Sequence, residues 1–477
     1  MKNKYLSLEY MRQVMLLACA VIALAGHCQL LRTTYFMEGV HYRLQLNPAL
    51  APSRGYVNLP AVSNTGASFY SNALGLRDVI DVLSNEEDAD YFVSDSFMGR
   101  LKDKNHALAT AGTDIIAAGW WHGKSFMSVN VGVKVNGNFK APKALFSFMR
   151  DMRGMNSIDY SDFVRSIGNE EVNLTAYTEL GFGYTRQLND QFSVGGRVKG
   201  LLGHGNMHLV VKDAVVKTNL QGLSPEYNWT YGNPAELLEA DGTASIDIDA
   251  DLETSFEGLD LLTNDKAYID EVKFKASHTG VAGVGAAVDL GISWRATRQV
   301  TLSASLVDLG FIRWSKGCTQ VAHSNTQDLK FNSEALGDLA RFADVISTSS
   351  PVNIDILRLE IDEQGAKSRT TSLSSTMTLG ADYALNDKVT LGALYSHHNA
   401  GLLSQDEVTF SANLRPSEFV ELAVSYSPLS CGGKSAGVAL KVGPVFLGTD
   451  YIYTGKNTRS CNALAGVSIP LGKKPND

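Results

Sequence analysis

The stretch LGADYALNDKVTLGALY, from Leu379 to Tyr395, places apolar side chains at every second position on both sides of a short polar turn. Before the turn, Leu379 and Ala381 share one parity, and Gly380 and Asp382 share the other. Successive side chains of a strand point to opposite faces of its sheet. The stretch therefore predicts a β-hairpin with one apolar face and one face of glycine, threonine and carboxylate.

The same alternation recurs along most of the chain. It is found at residues 127–135, 179–184, 284–295, 420–426 and 465–471. Counting such segments gives about thirteen strands between residues 107 and 471, and one more at 62–72 makes about fourteen, an even number that suits a closed barrel. The segments 244–256 and 268–276 are either a hairpin outside the wall or two further wall strands, which would make about sixteen.

Two features favour an all-β transmembrane barrel over a soluble sandwich. Short turns alternate strictly with long loops, as they do in outer-membrane barrels. Aromatic residues of the apolar parity also gather at the two ends of the strands, as in the girdles at membrane interfaces. The predicted girdle beside the short turns contains Trp121, Tyr184, Trp294 and Tyr383, and the opposite one contains Tyr395, Tyr426 and Tyr451.

The long loops carry helical patterns. Pro142 precedes KALFSFMRDM, and apolar residues recur at helical spacing within 160–167 and 336–346. These predicted extracellular helices either pack on the mouth of the barrel or line an entrance for an apolar ligand.

The N-terminus predicts export. Lys2, Lys4 and Arg12 precede an apolar run at 14–25, which has the pattern of a cleaved signal peptide. Cleavage before Gln29 is the first interpretation, and lipidation of Cys28 is the second. Of the remaining cysteines, Cys431 and Cys461 either pair or stay free, and Cys318 is left single. The formal net charge of −8 argues against a nucleic-acid partner.

The segment between the leader and the first predicted strand carries a family resemblance. Its string YFMEG…LNPAL.P.RGY resembles an uncharacterised family of exported barrels from Bacteroidota. Asn47, Pro48 and Ala49 resemble the N-terminal hatch of long-chain fatty-acid transporter-type barrels, and type IX secretion accessory barrels are similar in general plan. The resemblance implies a plug folded into the lumen; an ordinary surface turn is the alternative. One departure is that the chain ends in SIPLGKKPND, without the terminal aromatic residue common in barrels.

These observations predict four regions. They are a signal peptide at 1–28, a hatch at 29–61, a transmembrane β-barrel at 62–471 and a periplasmic tail at 472–477. Localisation is then the bacterial outer membrane.

Charged residues of the inward parity are the candidate lumen residues. They are Glu179, Arg197, Lys199, Asp289, Arg295, Asp382, Glu421, Lys441 and Asp450, with Lys134 of the same parity. Buried charges must pair or stay hydrated, so they form salt bridges between wall and plug or line a conduction path.

Two groups of side chains are candidates for metal binding. Asp247, Asp249, Asp251 and Glu253 alternate on one strand face and are either a calcium site or a solvated loop face. His204 and His208 stand ~13 Å apart if they lie on a strand, too far to share one metal ion. The sequence shows no enzyme motif and predicts no cofactor.

Three functions are compatible with this pattern. The first is passage of a hydrophobic or amphipathic small molecule, which the resemblance implies. The second is a non-transporting scaffold whose extracellular loops hold a secretion or surface protein. The third, a simple porin, is disfavoured by the hatch. Membrane lipid is a partner in all three cases.

Overall fold

Fourteen antiparallel strands form the wall of a closed barrel in this computed structural model. The structure describes residues 31–58, 63–75, 78, 93–228, 232–263, 268–274, 280–324, 327–331, 357–430, 432–452 and 459–473. The predicted signal peptide, Cys28, Cys431 and the helical pattern at 336–346 lie outside these ranges and stay predictions.

The strands are, in chain order, β1 (Arg54–Asn58), β2 (Thr65–Ser71), β3 (Lys104–His122), β4 (Ser125–Pro142), β5 (Phe163–Ser166), β6 (Glu170–Gln187), β7 (Phe192–Gln221), β8 (Asp241–Phe256), β9 (Leu259–Thr263), β10 (Ile269–Phe274), β11 (Gly283–Arg295), β12 (Val300–Trp314), β13 (Thr319–Ser324), β14 (Gln327–Phe331), β15 (Leu359–Ile361), β16 (Arg369–Ser372), β17 (Ser375–Asn386), β18 (Val389–Asn399), β19 (Ser404–Leu414), β20 (Val420–Leu429), β21 (Ser435–Val442), β22 (Val445–Thr449) and β23 (Ser460–Lys473). The helices are α1 (Arg43–Leu46), α2 (Asp95–Met98), α3 (Lys143–Met152) and α4 (Pro234–Glu239).

The wall closes through its first and last strands. β1 and β2 lie end to end as one wall strand, which pairs with β3 on one side and β23 on the other. The other wall strands are β3, β4, β6, β7, β11, β12 and β17 to β23, each antiparallel to its neighbours. The prediction of about fourteen strands is confirmed.

The outer face of the wall is apolar, as the alternation predicts. β17 and β18 form the predicted hairpin, with Ala381 directly opposite Ala393. On the outside, Leu379 is 48% exposed and Tyr383 is 41% exposed. Lipid accounts for this exposure, because a transmembrane barrel carries an outward apolar band.

A β-bulge in β3 changes which aromatic residues belong to the predicted girdle. The register between β3 and β4 shifts at Asp114–Ile116, which reverses the parity of the rest of β3. Trp120 therefore faces outward, whereas Trp121 faces the lumen and donates a hydrogen bond to the Pro52 carbonyl. The prediction that Trp121 belongs to the girdle is wrong.

The structure extends beyond the wall on the long-loop side. There β7 continues past the barrel and pairs with β5 and β8, and β8 pairs with β13 and β14. β9 and β10 form a separate hairpin, so the sixteen-strand alternative is wrong. α3 begins after Pro142 as predicted, but 160–167 form a 3₁₀ turn and β5 rather than a helix. α3, the 3₁₀ turn and this sheet share one apolar core.

Within the described residues, no helix is both long enough and apolar enough to cross a membrane.

Candidate functional site

The lumen contains residues 31–53 of the predicted hatch at 29–61, and the name hatch is used below for this part alone. Residues 54–58 of the predicted hatch form β1 and belong to the wall. The hatch enters as a 3₁₀ turn at Arg32–Thr34, continues through α1 and leaves towards β1. Most of its side chains are buried: Leu31, Thr33, Tyr35 and Met37 are 0% exposed. The hatch is therefore packed inside the barrel and is not a surface turn.

Wall glycines accommodate the large side chains of the hatch. The Tyr35 ring lies against Gly380 of β17, and the Phe36 ring lies against Gly392 of β18. Leu31 lies against Gly448 of β22 in the same way. Since a Cβ at these positions would overlap the hatch, glycine on the inward parity is a packing requirement.

The Asn47-Pro48-Ala49 corner is fixed to the wall. The Asn47 side-chain oxygen accepts the Ala49 N–H at 2.9 Å, which closes the turn, and its amide donates to the Tyr35 hydroxyl at 2.9 Å. The Pro48 carbonyl accepts a hydrogen bond from Thr185 of β6 at 2.5 Å. The corner therefore holds the hatch in register with the wall.

Arg32 makes the principal salt bridges between hatch and wall. Its guanidinium lies 2.6 Å from Glu407 and 3.3 Å from Asp450, and it donates to the Tyr451 hydroxyl at 3.0 Å. Arg32 is 2% exposed. Tyr451 packs on this guanidinium, so its predicted place in the outer girdle is wrong.

Three other predicted lumen charges, Glu421, Asp382 and Arg295, lie nearer to the short turns than the Arg32 salt bridges do. Glu421 accepts the Gly39 N–H at 2.8 Å and pairs across the strands with Lys441. Asp382 lies on the lumenal parity of β17, two residues from the Tyr35 contact at Gly380. Arg295 is exposed at the short-turn rim, where its charge acts on Asp382.

The remaining predicted charges meet in a buried cluster, the ionic layer, on β4, β6, β7, β11 and β12. Glu179 lies 3.0 Å from Arg197 and 2.9 Å from Lys134. Lys199 lies 2.7 Å from Asp289 and 2.5 Å from Asp308. Three cations thus face three carboxylates, which satisfies the requirement that buried charges pair. This arrangement is a set of wall-to-wall salt bridges.

Sequence reasoning missed Asp308, Asp114 and Asn130 in this region. Asp308 lies in a bulge of β12 with φ +60, where its N–H donates to Asp289 at 2.7 Å. Asn130 hydrogen-bonds Arg197 and donates to Glu179 at 3.1 Å. Bulges in β3 and β12 break strict alternation beside Asp114 and Asp308, so parity alone does not find these two residues. Asn130 has the same inward parity as Lys134, but it is uncharged and was not among the predicted charges.

The hatch also contacts the wall where β1 and β2 pair with β3. β1 pairs with 118–119 of β3, and β2 pairs with 107–113. Hatch side chains lie against this part of the wall: Gln45 donates to Asp114 at 2.8 Å, and His41 stacks on Tyr56 at 4.3 Å. We call this region the hatch–wall contact.

The calcium candidate on β8 is contradicted by its partners. Asp247 pairs with Lys217 at 3.2 Å, and Asp249 and Asp251 pair with Lys212 at 3.1 and 2.7 Å. Glu253 pairs with Arg369 at 3.1 Å. These side chains form a cross-strand charge ladder rather than oxygen ligands converging on one ion.

The charge ladder also perturbs one carboxyl group. Partial burial alone would raise the pKa of Asp251. Hydrogen bonds from Lys212 and His323 outweigh this burial and hold the pKa of Asp251 below its usual range.

One family model matches most of the chain. The model described as "Family of unknown function (DUF5723)" matches residues 48–450. The chain belongs to this family. The match covers the Asn47 corner from Pro48 onwards, the hatch–wall contact at Asp114 and Tyr56, and the ionic layer.

Solved structures that resemble this DUF5723 member are bacterial barrels. The Ralstonia pickettii toluene transporter TbuX has 9% identity and a TM-score of 0.42, with coverage of 94% of this chain and 99% of that one. The Pseudomonas putida toluene transporter TodX has 9% identity and a TM-score of 0.35, with coverage of 88% and 90%. A Pseudomonas aeruginosa FadL homologue has 10% identity and a TM-score of 0.34, with 94% of both chains covered. No curated protein matches the chain.

Proposed function

We propose that this barrel lies in the outer membrane of a Gram-negative bacterium and passes hydrophobic or amphipathic small molecules, with the hatch as its gate. The observation that carries the proposal is the hatch itself, which lies in the lumen and is joined to the wall through side chains. Thr185 of the wall bonds the Pro48 carbonyl, and Arg32 of the hatch forms salt bridges with Glu407 and Asp450.

At the hatch–wall contact, the side chains of His41 and Gln45 make the hydrogen bonds that hold the hatch. Such contacts are individually modest and reversible. A movement of the hatch would open the lumen and would offer an amphipathic molecule a route through it.

The lumenal surface beside the hatch favours passage of an amphipathic molecule over passage of a purely apolar one. Hydroxyl side chains line the inner face of β12 and β17 to β20, where Ser305 bonds Thr378 at 2.6 Å and Thr409 bonds Ser427 at 2.7 Å. These paired hydroxyls alternate with the glycines that contact the hatch. The surface left by a displaced hatch would therefore be partly polar.

A disulfide lock tests the gate. The Thr33 and Ser425 hydroxyl oxygens lie 2.6 Å apart, one on the hatch and one on the wall, which suits a Thr33→Cys/Ser425→Cys pair. The matched control is Thr409→Cys/Ser427→Cys, which joins two wall strands at a similar 2.7 Å. Both pairs are made in a background with the native cysteines replaced by serine.

The readout is uptake of pyrene-labelled decanoic acid by cells of a host that lacks its own fatty-acid channel. We expect oxidation to abolish uptake through the Thr33–Ser425 pair, a reductant to restore it, and the wall-to-wall control to stay active. Uptake that persists through the oxidised lock would contradict a hatch gate. No uptake by the unaltered barrel would contradict passage of this probe class.

A scaffold is the second candidate, and the long-loop extension favours it. α3, β5, β7 and β8 share an apolar core of their own, which a simple channel does not need. Val164 of β5 is 61% exposed on this extension. A photo-crosslinker at Val164 should capture one defined protein in the native host if the scaffold function holds, whereas one at exposed Lys124 on the short-turn rim should not.

A further inference from the structure

An apolar groove of about 620 Å³ crosses the outer face of β11, β12, β17, β18 and β19. Its floor is formed by three small outward side chains, Ala304, Ala381 and Ala393. Large neighbours such as Leu302 and Leu379, which are 40% and 48% exposed, stand on either side. The groove lies on the outer face of the wall, whereas the hatch and the ionic layer lie on its lumenal side.

Strand register explains the shape of the groove. Ala381 lies directly opposite Ala393, and its other neighbour across the strands is Leu302. The next outward row places Leu379 between Ala304 and Tyr395. Side chains on one sheet face stand in such rows, and each of these two rows contains both alanine and large residues. The neighbouring alanines of the two rows are short, so they leave a trough between the large side chains.

The groove occupies the part of the wall nearest the short turns. Trp294 lies just before the turn between β11 and β12, and Tyr395 lies six residues into β18, about 20 Å along the strand. Trp294 stacks on Phe192 with ring centres 5.8 Å apart, as expected of aromatic residues at a membrane interface. The groove therefore faces the leaflet on the short-turn side.

Shape distinguishes between the occupants that a membrane offers. A symmetric contact with a second copy would place concave groove against concave groove, because a two-fold interface uses the same patch on both partners. The alanine floor would then stay unfilled, and a void forfeits dispersion contacts. A flexible chain of methylene groups fills a trough of this width, and 620 Å³ is within the roughly 300–1,000 Å³ of small-molecule sites.

We propose that this groove binds one acyl chain of a phospholipid from the leaflet beside the short turns. Exposed Arg298 lies in the turn below the groove, and a guanidinium suits the phosphate of the headgroup. The site is a lipid-binding site on the wall and is independent of passage through the lumen.

Groove-filling variants test the site. Ala381→Phe and Ala393→Phe each place a ring on the floor, whereas Ala465→Phe places the same ring on the exposed outer face of β23 as a matched control. The proteins are incubated with palmitoyl-oleoyl phosphatidylethanolamine in mild detergent and examined by native mass spectrometry. Heat-modifiable migration on gels identifies the variants that have folded.

We expect the unaltered protein and Ala465→Phe to retain one phospholipid, and the two groove variants to retain it about tenfold more weakly. Equal retention in all four proteins would overturn the proposal, as would an adduct with the mass of a free fatty acid. A dimer that the groove variants dissociate would assign the groove to a second copy instead.

Discussion

The tripeptide Leu-Gly-Ala occurs twice in the hairpin of β17 and β18, at 379–381 and 391–393, and its three positions have different surroundings. The leucines face the membrane on the outer surface. The glycines lie against the rings of Tyr35 and Phe36 in the hatch. The alanines form the groove floor. The three residues of one short motif thus contact the membrane, the hatch and the groove, because successive side chains of a strand point to opposite faces of the sheet.

Replacing the glycine that contacts Phe36 should loosen the hatch. In Gly392→Val the new side chain overlaps the Phe36 ring and Ser411, and overpacking of this kind costs about 1–3 kcal/mol. Trypsin cleavage at Arg43 in the hatch should become faster, and the free energy of unfolding in guanidinium should fall. Gly200→Val is the control, because a Cβ there meets open space on the outer face. Equal cleavage in both variants would contradict the contact.

The ionic layer should be far more sensitive than the surface charge ladder. Glu179→Gln removes the carboxylate that pairs with Arg197 and Lys134, and breaking a buried pair costs about 3–5 kcal/mol. Asp249→Asn removes an exposed partner of Lys212 and should cost at most about 1 kcal/mol. Urea unfolding in lipid vesicles measures both values. If Glu179→Gln lowers the free energy of unfolding by less than Asp249→Asn does, the ionic layer does not stabilise the barrel.

At the scale of elements, the sequence predicts regular strands well and irregular ones poorly. Alternation located the hairpin of β17 and β18 because its apolar face has no interruption. The bulge at Asp114–Ile116 reverses parity within β3, so the lumenal position of Trp121 was not predicted. The contact between Phe36 and Gly392 joins residues far apart in the chain, and no local pattern encodes such a pairing. The predicted inward charges were recognisable by parity, but their partners depend on the curvature of the whole sheet.

The charge ladder of β8 should be indifferent to calcium. Each acidic side chain from Asp247 to Glu253 already has a basic partner, so a divalent ion would have to displace lysine or arginine. A ligand that binds the folded state raises the melting temperature as its concentration increases. We expect the melting temperature of the purified barrel to be the same in calcium, magnesium and EDTA. A rise that depends on calcium concentration alone would restore the metal-site interpretation.

Across the whole molecule, several packed layers fill the lumen. The hatch reaches from the short-turn side up to Arg32, which bonds Glu407 and Asp450, and the ionic layer adjoins it through Gln45 and Asp114. Above the ionic layer, Tyr177 and Trp314 belong to an apolar cluster whose members are almost fully buried. The core of the long-loop extension follows. The hatch is the only one of these layers that belongs to a segment outside the wall and its loops, so it is the part best able to move as a unit.

Removal of the hatch should therefore open the barrel. A variant that keeps residues 1–28 but lacks 29–53 loses the rings of Tyr35 and Phe36 and the salt bridges of Arg32, and it leaves Asp450 and Glu407 free to be hydrated. In planar lipid bilayers we expect this variant to conduct potassium and chloride well above the level of the intact barrel, because polar hydroxyls and carboxylates then line a water-filled space. Heat-modifiable migration verifies that its wall has closed. If the folded variant conducts no better than the intact barrel, the ionic layer and the loop cores seal the lumen without the hatch, and the hatch cannot be the gate.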